Sequence, residues 1–116
     1  MIAQTSPWFN EEDLRLDNTA TLTALTVTIV VQRTAGVSFN GMYNTVGGQI
    51  QQSNTSTAAA ITYTFTLASG QTMTAGAGRI FAAQSGGTGT AHPTAGDTFT
   101  VTATGGGVTT TLTGHF

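Results

Sequence analysis

Residues 25–33 read Leu-Thr-Val-Thr-Ile-Val-Val-Gln-Arg. Leu25, Val27, Ile29 and Val31 fall on one side of an extended backbone, with Thr26, Thr28, Val30 and Gln32 on the other. A period of two with β-branched residues on both faces specifies a strand with one face in a core. A helix would scatter the same residues around its circumference. Ala60–Leu67 repeats the form, setting Ile61, Tyr63, Phe65 and Leu67 against Thr62, Thr64 and Thr66. Residues 97–104 set Phe99, Val101 and Ala103 against threonines.

Weaker strand signals lie at 13–18, 49–52, 79–84 and 108–113, the last with Val108 and Leu112 expected to face inward. Asp17-Asn18 favours a turn, and Asn40-Gly41 predicts a tight hairpin. Polar or Gly-rich stretches at 53–57, 68–78, 85–96 and 105–107 read as loops and turns. Residues 1–10 are expected to be irregular, since Pro7 argues against a central strand. About eight short strands with no helical period predict an all-β fold, an antiparallel β-sandwich with immunoglobulin-like or jelly-roll connections. At 116 residues the chain is expected to be one domain, 1–116, large enough to bury a core without covalent staples.

Charged residues make up 7% of the chain, against roughly 25% in an ordinary soluble domain. Hydroxyls and amides, including 26 threonines, take their place. Three Arg, no Lys and a net charge of −2 argue against nucleic acid and anionic membrane surfaces as partners. The absence of Cys excludes disulfides and thiolate metal sites. No apolar run has the length of a membrane span. The N-terminus lacks the basic and apolar regions of a secretion signal, which leaves a cytosolic protein or a module of a longer exported chain. The Thr/Ser/Gly surface favours the second, an extracellular location as part of a larger enzyme, with the module itself monomeric.

Five carboxylates are present: Glu11, Glu12, Asp13, Asp17 and Asp97. A glycosidase needs two of them across a bond, roughly 5–9.5 Å apart, and nothing in the spacing supports such a pair. His92 and His115 accompany no nucleophile motif, and no Gly-rich stretch has phosphate-loop spacing. No enzyme activity and no cofactor are expected. Oxygen ligands in Glu11, Glu12, Asp13 and Asp17 suit a structural Ca²⁺, but they lack an EF-hand pattern and read more plainly as a solvated turn. Zinc would need both histidines to converge with a carboxylate.

Tyr63, Phe65 and Phe99 are in phase with the inward apolar sets and are expected in the core. Trp8, Phe9, Phe39 and Tyr43 sit instead in irregular or turn segments among Asn10, Asn40, Asn44 and Gln49. A ring with neutral amides beside it suits a β-linked glucan, whose apolar faces stack on aromatics while its hydroxyls pair with amides at the edge. Candidate ligand-binding residues are therefore Trp8, Phe9, Asn10, Tyr43, Asn44, Gln49 and Gln84, with Arg33 and His92. The competing structural roles are definite. Trp8 and Tyr43 would plug the ends of the sandwich, Arg33 would solvate a strand end, and His92 would fix its loop.

Residues 6–13 (Ser-Pro-Trp-Phe-Asn-Glu-Glu-Asp), Gly41-Met42-Tyr43-Asn44, Phe81-Ala82-Ala83-Gln84 and residues 92–98 (His-Pro-Thr-Ala-Gly-Asp-Thr) carry a resemblance over nearly the whole chain. The chain resembles the bacterial carbohydrate-binding modules that bind cellulose and β-glucan, family 81 above all and families 2 and 3 more distantly. The resemblance implies a non-catalytic β-sandwich appended to a glycoside hydrolase of plant cell-wall degradation. Its partners would be β-1,4-glucans: cellooligosaccharides, cellulose, xyloglucan or mixed-linkage β-glucan. No evenly spaced row of three surface aromatics is present, so individual glucan chains are favoured over a crystalline surface. The alternative is a structural immunoglobulin-like spacer or adhesin-type domain of an exported protein.

Overall fold

The computed structural model describes residues 2–5, 8–89 and 92–116, with the backbone path alone for residues 2–5 and 35. Nine strands are formed among them: β1 (Ile2–Thr5), β2 (Phe9–Asn18), β3 (Leu22–Gln32), β4 (Ser38–Asn44), β5 (Ile50–Ser56), β6 (Ala60–Leu67), β7 (Gly76–Gly86), β8 (Thr98–Gly105) and β9 (Val108–His115). They make two antiparallel sheets, ordered β1-β2-β7-β4 and β5-β6-β3-β8-β9. The chain changes sheet at five of its eight connections and forms a β-sandwich, as the alternation predicts.

β3 lies at the centre of the five-stranded sheet, between β6 and β8. In one cross-strand row Phe65, Val27 and Val101 sit opposite one another, and all three are buried. The facing sheet contributes Leu14, Phe81 and Ala83 to the same core. Phe65 and Phe81 meet edge to face with centroids 5.3 Å apart, joining the two layers.

Turn chemistry closes the hairpins. Gly106 and Gly107 both have positive φ, +58° and +79°, as a two-residue type I′ turn between β8 and β9 demands. Between β5 and β6 the Thr57 hydroxyl accepts from the Ala59 and Ala60 N–H groups, a side-chain substitute for a backbone turn.

Four expectations are corrected. Residues 1–10 are not irregular throughout, because β1 pairs at the edge and β2 begins at Phe9; Ser6 and Pro7 lie outside the described residues. Asn40-Gly41 makes no hairpin: Gly41, with φ +124°, sits where the β4–β7 register shifts. A bulge uses the same left-handed freedom as a hairpin turn. Residues 53–56 continue β5, an edge strand whose residues after Ile50 are all exposed, so no apolar period marks it. Val108 and Leu112 have the expected phase, since Leu112 sits opposite buried Val101, but they are 64% and 57% exposed. β9 is the outermost of five strands facing a four-stranded sheet, and four-residue β1 leaves its inner side uncovered. A cavity of about 310 Å³ opens there, lined by Leu16, Leu22, Val101, Ala103, Val108 and Leu112 among others.

Candidate functional site

Alternation along β2 divides the acidic run. Register places Glu11 beside Gln84 and Gly41, and Asp13 beside Ala82 and Tyr43, all on the outer face of the four-stranded sheet. Asn10, Glu12 and Leu14 point the other way, between the sheets. The four acids at 11, 12, 13 and 17 therefore form no single donor set. Asp17 stands apart near the end of β2, accepting from the Gly78 N–H at 2.7 Å and pairing with Arg15 at 3.3 Å.

On the outer face Glu11 is the hub. Gln84 Nε2 donates to its Oε1 at 2.8 Å and Tyr43 Oη to its Oε2 at 3.0 Å. The bulge makes this arrangement possible. A Cβ at Gly41 would fall 2.5 Å from Gln84 Oε1, so the bare glycine lets the amide lie flat over β4. Burial raises the Glu11 carboxyl, but hydrogen bonds from Gln84, Asp13 and Tyr43 outweigh it and hold it below its ordinary value. Burial first, then the hydrogen bond and charge of Glu11, push Asp13 up to about 6. Tyr43 is raised by partial burial and by Glu11. Its ring remains 39% exposed.

Trp8 is 69% exposed, just ahead of β2. Its carbonyl accepts from the Gly87 N–H at 2.9 Å, and its ring lies over Gly89, where a Cβ would come within 3.0 Å of it. Half-buried Phe9 sits in register with Gly86 on the outer face. Trp8 lies just beyond one end of the sheet, beside Gly87, and Tyr43 lies at mid-sheet beside Ala82, five residues away and on the order of 17 Å along the strand. Between them lie Phe9, Glu11, Asp13 and Gln84.

The remaining candidates are dispersed. Asn44 caps its own turn, accepting from Val46 and Gly47 N–H groups, and donates to Gln52 Oε1 at 3.0 Å. Because Gln52 in turn donates to the Met42 carbonyl, this pair clasps the β4 and β5 edges together. Gln49 is half-buried beside Gly47. Arg33 donates to the carbonyls of Val37 and Thr57 at 3.0 and 2.8 Å, which ties down a strand end. Asn10 and His92 are buried.

His92 belongs to a second group that the sequence reading did not assemble. Glu12, His92 and Asp97 are 2%, 3% and 0% exposed, and one ligand atom of each lies within 4.8 Å of the others. His92 Nε2 is 2.6 Å from Asp97 Oδ2, and its Nδ1 is 2.9 Å from Thr34 Oγ1. Burial first, and then Asp97 beside it, push the Glu12 carboxyl up to about 10. Asp97 acts on it first by hydrogen bonding and then by charge, although neither Glu12 oxygen lies in good hydrogen-bond geometry with any described partner. Buried Tyr63, whose hydroxyl donates to the Gln84 carbonyl, is raised by burial and by both acids. A usable signal for Glu12 existed: with Leu14 in the core, residues 12 and 10 share its inward phase.

Compared with protein-family models, curated proteins and solved structures, the chain matches none.

Proposed function

We propose that the chain is a non-catalytic carbohydrate-binding module that holds individual β-1,4-glucan chains on the outer face of its four-stranded sheet. The observation that carries this reading is the pair of rings, Trp8 and Tyr43, left open at the two ends of a floor of amide and carboxylate groups. The rings cover the apolar sugar faces, while Gln84 and Glu11 offer donors and acceptors to equatorial hydroxyls and Asp13, buried beside them, braces Glu11. Glu11 and Asp13 stand side by side on one strand and bond to each other, an arrangement for fixing orientation rather than for attack across a glycosidic bond. The role for such a module is to bring an appended glycoside hydrolase to plant cell wall outside the cell.

Affinity electrophoresis through gels containing mixed-linkage glucan, xyloglucan or carboxymethylcellulose tests the reading, together with a cellulose pull-down. Retardation on at least one glucan is expected. Migration unchanged on all of them, with no cellulose retention, refutes the reading and leaves the structural spacer.

A further inference from the structure

Glu12 enters the interior from β2, His92 from the loop between β7 and β8, and Asp97 from the residue before β8. All three are more than nine-tenths buried. Asp97 Oδ1 accepts the Gln32 N–H at 2.8 Å, which leaves Oδ2 for the group. His92 Nδ1 is anchored by Thr34, whose Oγ1 lies at 2.9 Å and carbonyl at 3.3 Å. Fixing one ring nitrogen in this way orients the other, as ligating histidines require. Nε2 faces Asp97 Oδ2 at 2.6 Å, a hydrogen bond whose proton a divalent cation would displace as the two atoms separate.

The second observation is that buried polar atoms here lack partners. Both Glu12 oxygens have none among the described residues, and neither does either amide atom of Asn10, buried two residues earlier on the same face. No Arg pairs with Glu12 or Asp97 among the described residues, where the ion pairs are Arg15–Asp17 and His92–Asp97.

We propose that Glu12, His92 and Asp97 form a buried structural site for a first-row divalent cation, with Zn²⁺ the best fit. One imidazole nitrogen with two carboxylate oxygens is a borderline donor set that suits zinc. Calcium wants six to eight oxygens, more than two carboxylates supply. Tetrahedral zinc at about 2.1 Å from its ligands spaces them about 3.4 Å apart, so the 2.6 Å His92–Asp97 contact opens slightly while separations of up to 4.8 Å close, shifts of roughly an ångström. Asn10 or a water supplies the fourth ligand. The ion joins β2 to the β7–β8 connection and, through Thr34 and Gln32, to the end of β3. This site is independent of the sugar-binding reading, and its readout is separate from glucan retention.

The test uses the full chain, stripped with a chelator, dialysed and titrated with Zn²⁺ by calorimetry. One equivalent is expected to bind, raising Tm by roughly 10 °C at a hundredfold excess over Kd. Co²⁺ should give the visible absorption of a four-coordinate ion with a nitrogen ligand. Glu12→Gln and His92→Gln should each weaken zinc binding at least tenfold, while His115→Ala, at an exposed histidine, leaves it unchanged. Glu12→Gln is a near-isostere at a position with no hydrogen bond to break, and far-UV circular dichroism checks its fold; the wild-type Co²⁺ spectrum needs no variant. The proposal is overturned if the wild type takes up no stoichiometric zinc. It is equally overturned if both ligand variants bind like wild type, or if His115→Ala abolishes binding.

Discussion

Replacing Trp8 by Ala separates a ring held out for a ligand from a ring that seals the fold. The indole is 69% exposed. Of about 250 Å² that a Trp side chain offers, about 170 Å² is therefore open. A sugar lying on one face covers about half of that, and about 85 Å² at about 25 cal/mol per Å² is worth about 2 kcal/mol. Losing it should weaken glucan binding about 30-fold. The buried third is worth at most about 2 kcal/mol by the same measure, an upper bound for a chain that is not fully extended when unfolded. Removing a fully buried aromatic costs about 3–5 kcal/mol. Trp8 is the chain's single tryptophan, so its fluorescence follows the wild type alone; calorimetric titration with cellooligosaccharide and urea unfolding followed by circular dichroism read both proteins. If Trp8→Ala binds glucan as tightly as wild type, the indole is not part of the site. If instead its unfolding free energy falls by 3 kcal/mol or more, the ring is structural and the platform is misassigned.

Three further outcomes follow from the fold. Leu112→Thr should move the urea unfolding free energy by no more than about 0.5 kcal/mol, whereas Phe81→Ala, deep between the sheets, should cost about 3–5 kcal/mol; equal losses would show that β9 is covered. Gly41→Ala meets both a φ of +124° and the Gln84 amide. It should lose more than about 1 kcal/mol and, by NMR, free the Gln84 side-chain amide from Glu11; an unshifted amide signal would contradict the geometry. The Gly78 N–H holds the Asp17 carboxyl below its ordinary value despite slight desolvation, with Arg15 assisting. A depressed carboxyl stabilises the fold above its unfolded pKa, and that contribution fades as pH falls through the folded one. Asp17→Asn should therefore flatten the acid limb of the stability curve, and an unchanged limb in urea titrations below pH 5 would refute the role.

How far the fold was legible depends on which strands are interior. β3, β6 and β8 lie in the middle of their sheet, so every second side chain meets the other layer and the sequence must alternate. β5 is an edge strand and β4 carries a bulge, so neither is obliged to show a clean period; one read partly as loop and the other as a hairpin. Val108 and Leu112 show the complementary limit, because phase can be read locally while coverage depends on the width of the opposite sheet. Exposure of Trp8 and Tyr43 was readable from their polar neighbours. The Glu11–Gln84 contact was not, since it depends on register between strands more than seventy residues apart in the chain.

The same register explains why β2 carries three consecutive acids. Its period of two hands Glu11 and Asp13 to the outer face and Glu12 to the interior, and a slip of one residue would exchange them. Such a slip would carry Glu11 and Asp13, which share a hydrogen-bond network on the outer face, in between the sheets, and would pull Glu12 away from His92 and Asp97. Burying a charge without a partner costs several kcal/mol, so the wrong register is penalised twice. In the adjoining stretch, Leu14 and half-buried Leu16 specify the same inward phase, and Glu12 extends it toward the start of the strand. The interior acid thus helps set which face of β2 is presented outward, and the platform bearing Tyr43, Gln84 and Glu11 depends on that choice. A cation held by Glu12 would strengthen this selection without touching the outer face, which is why zinc loading is expected to raise Tm while leaving glucan affinity unchanged.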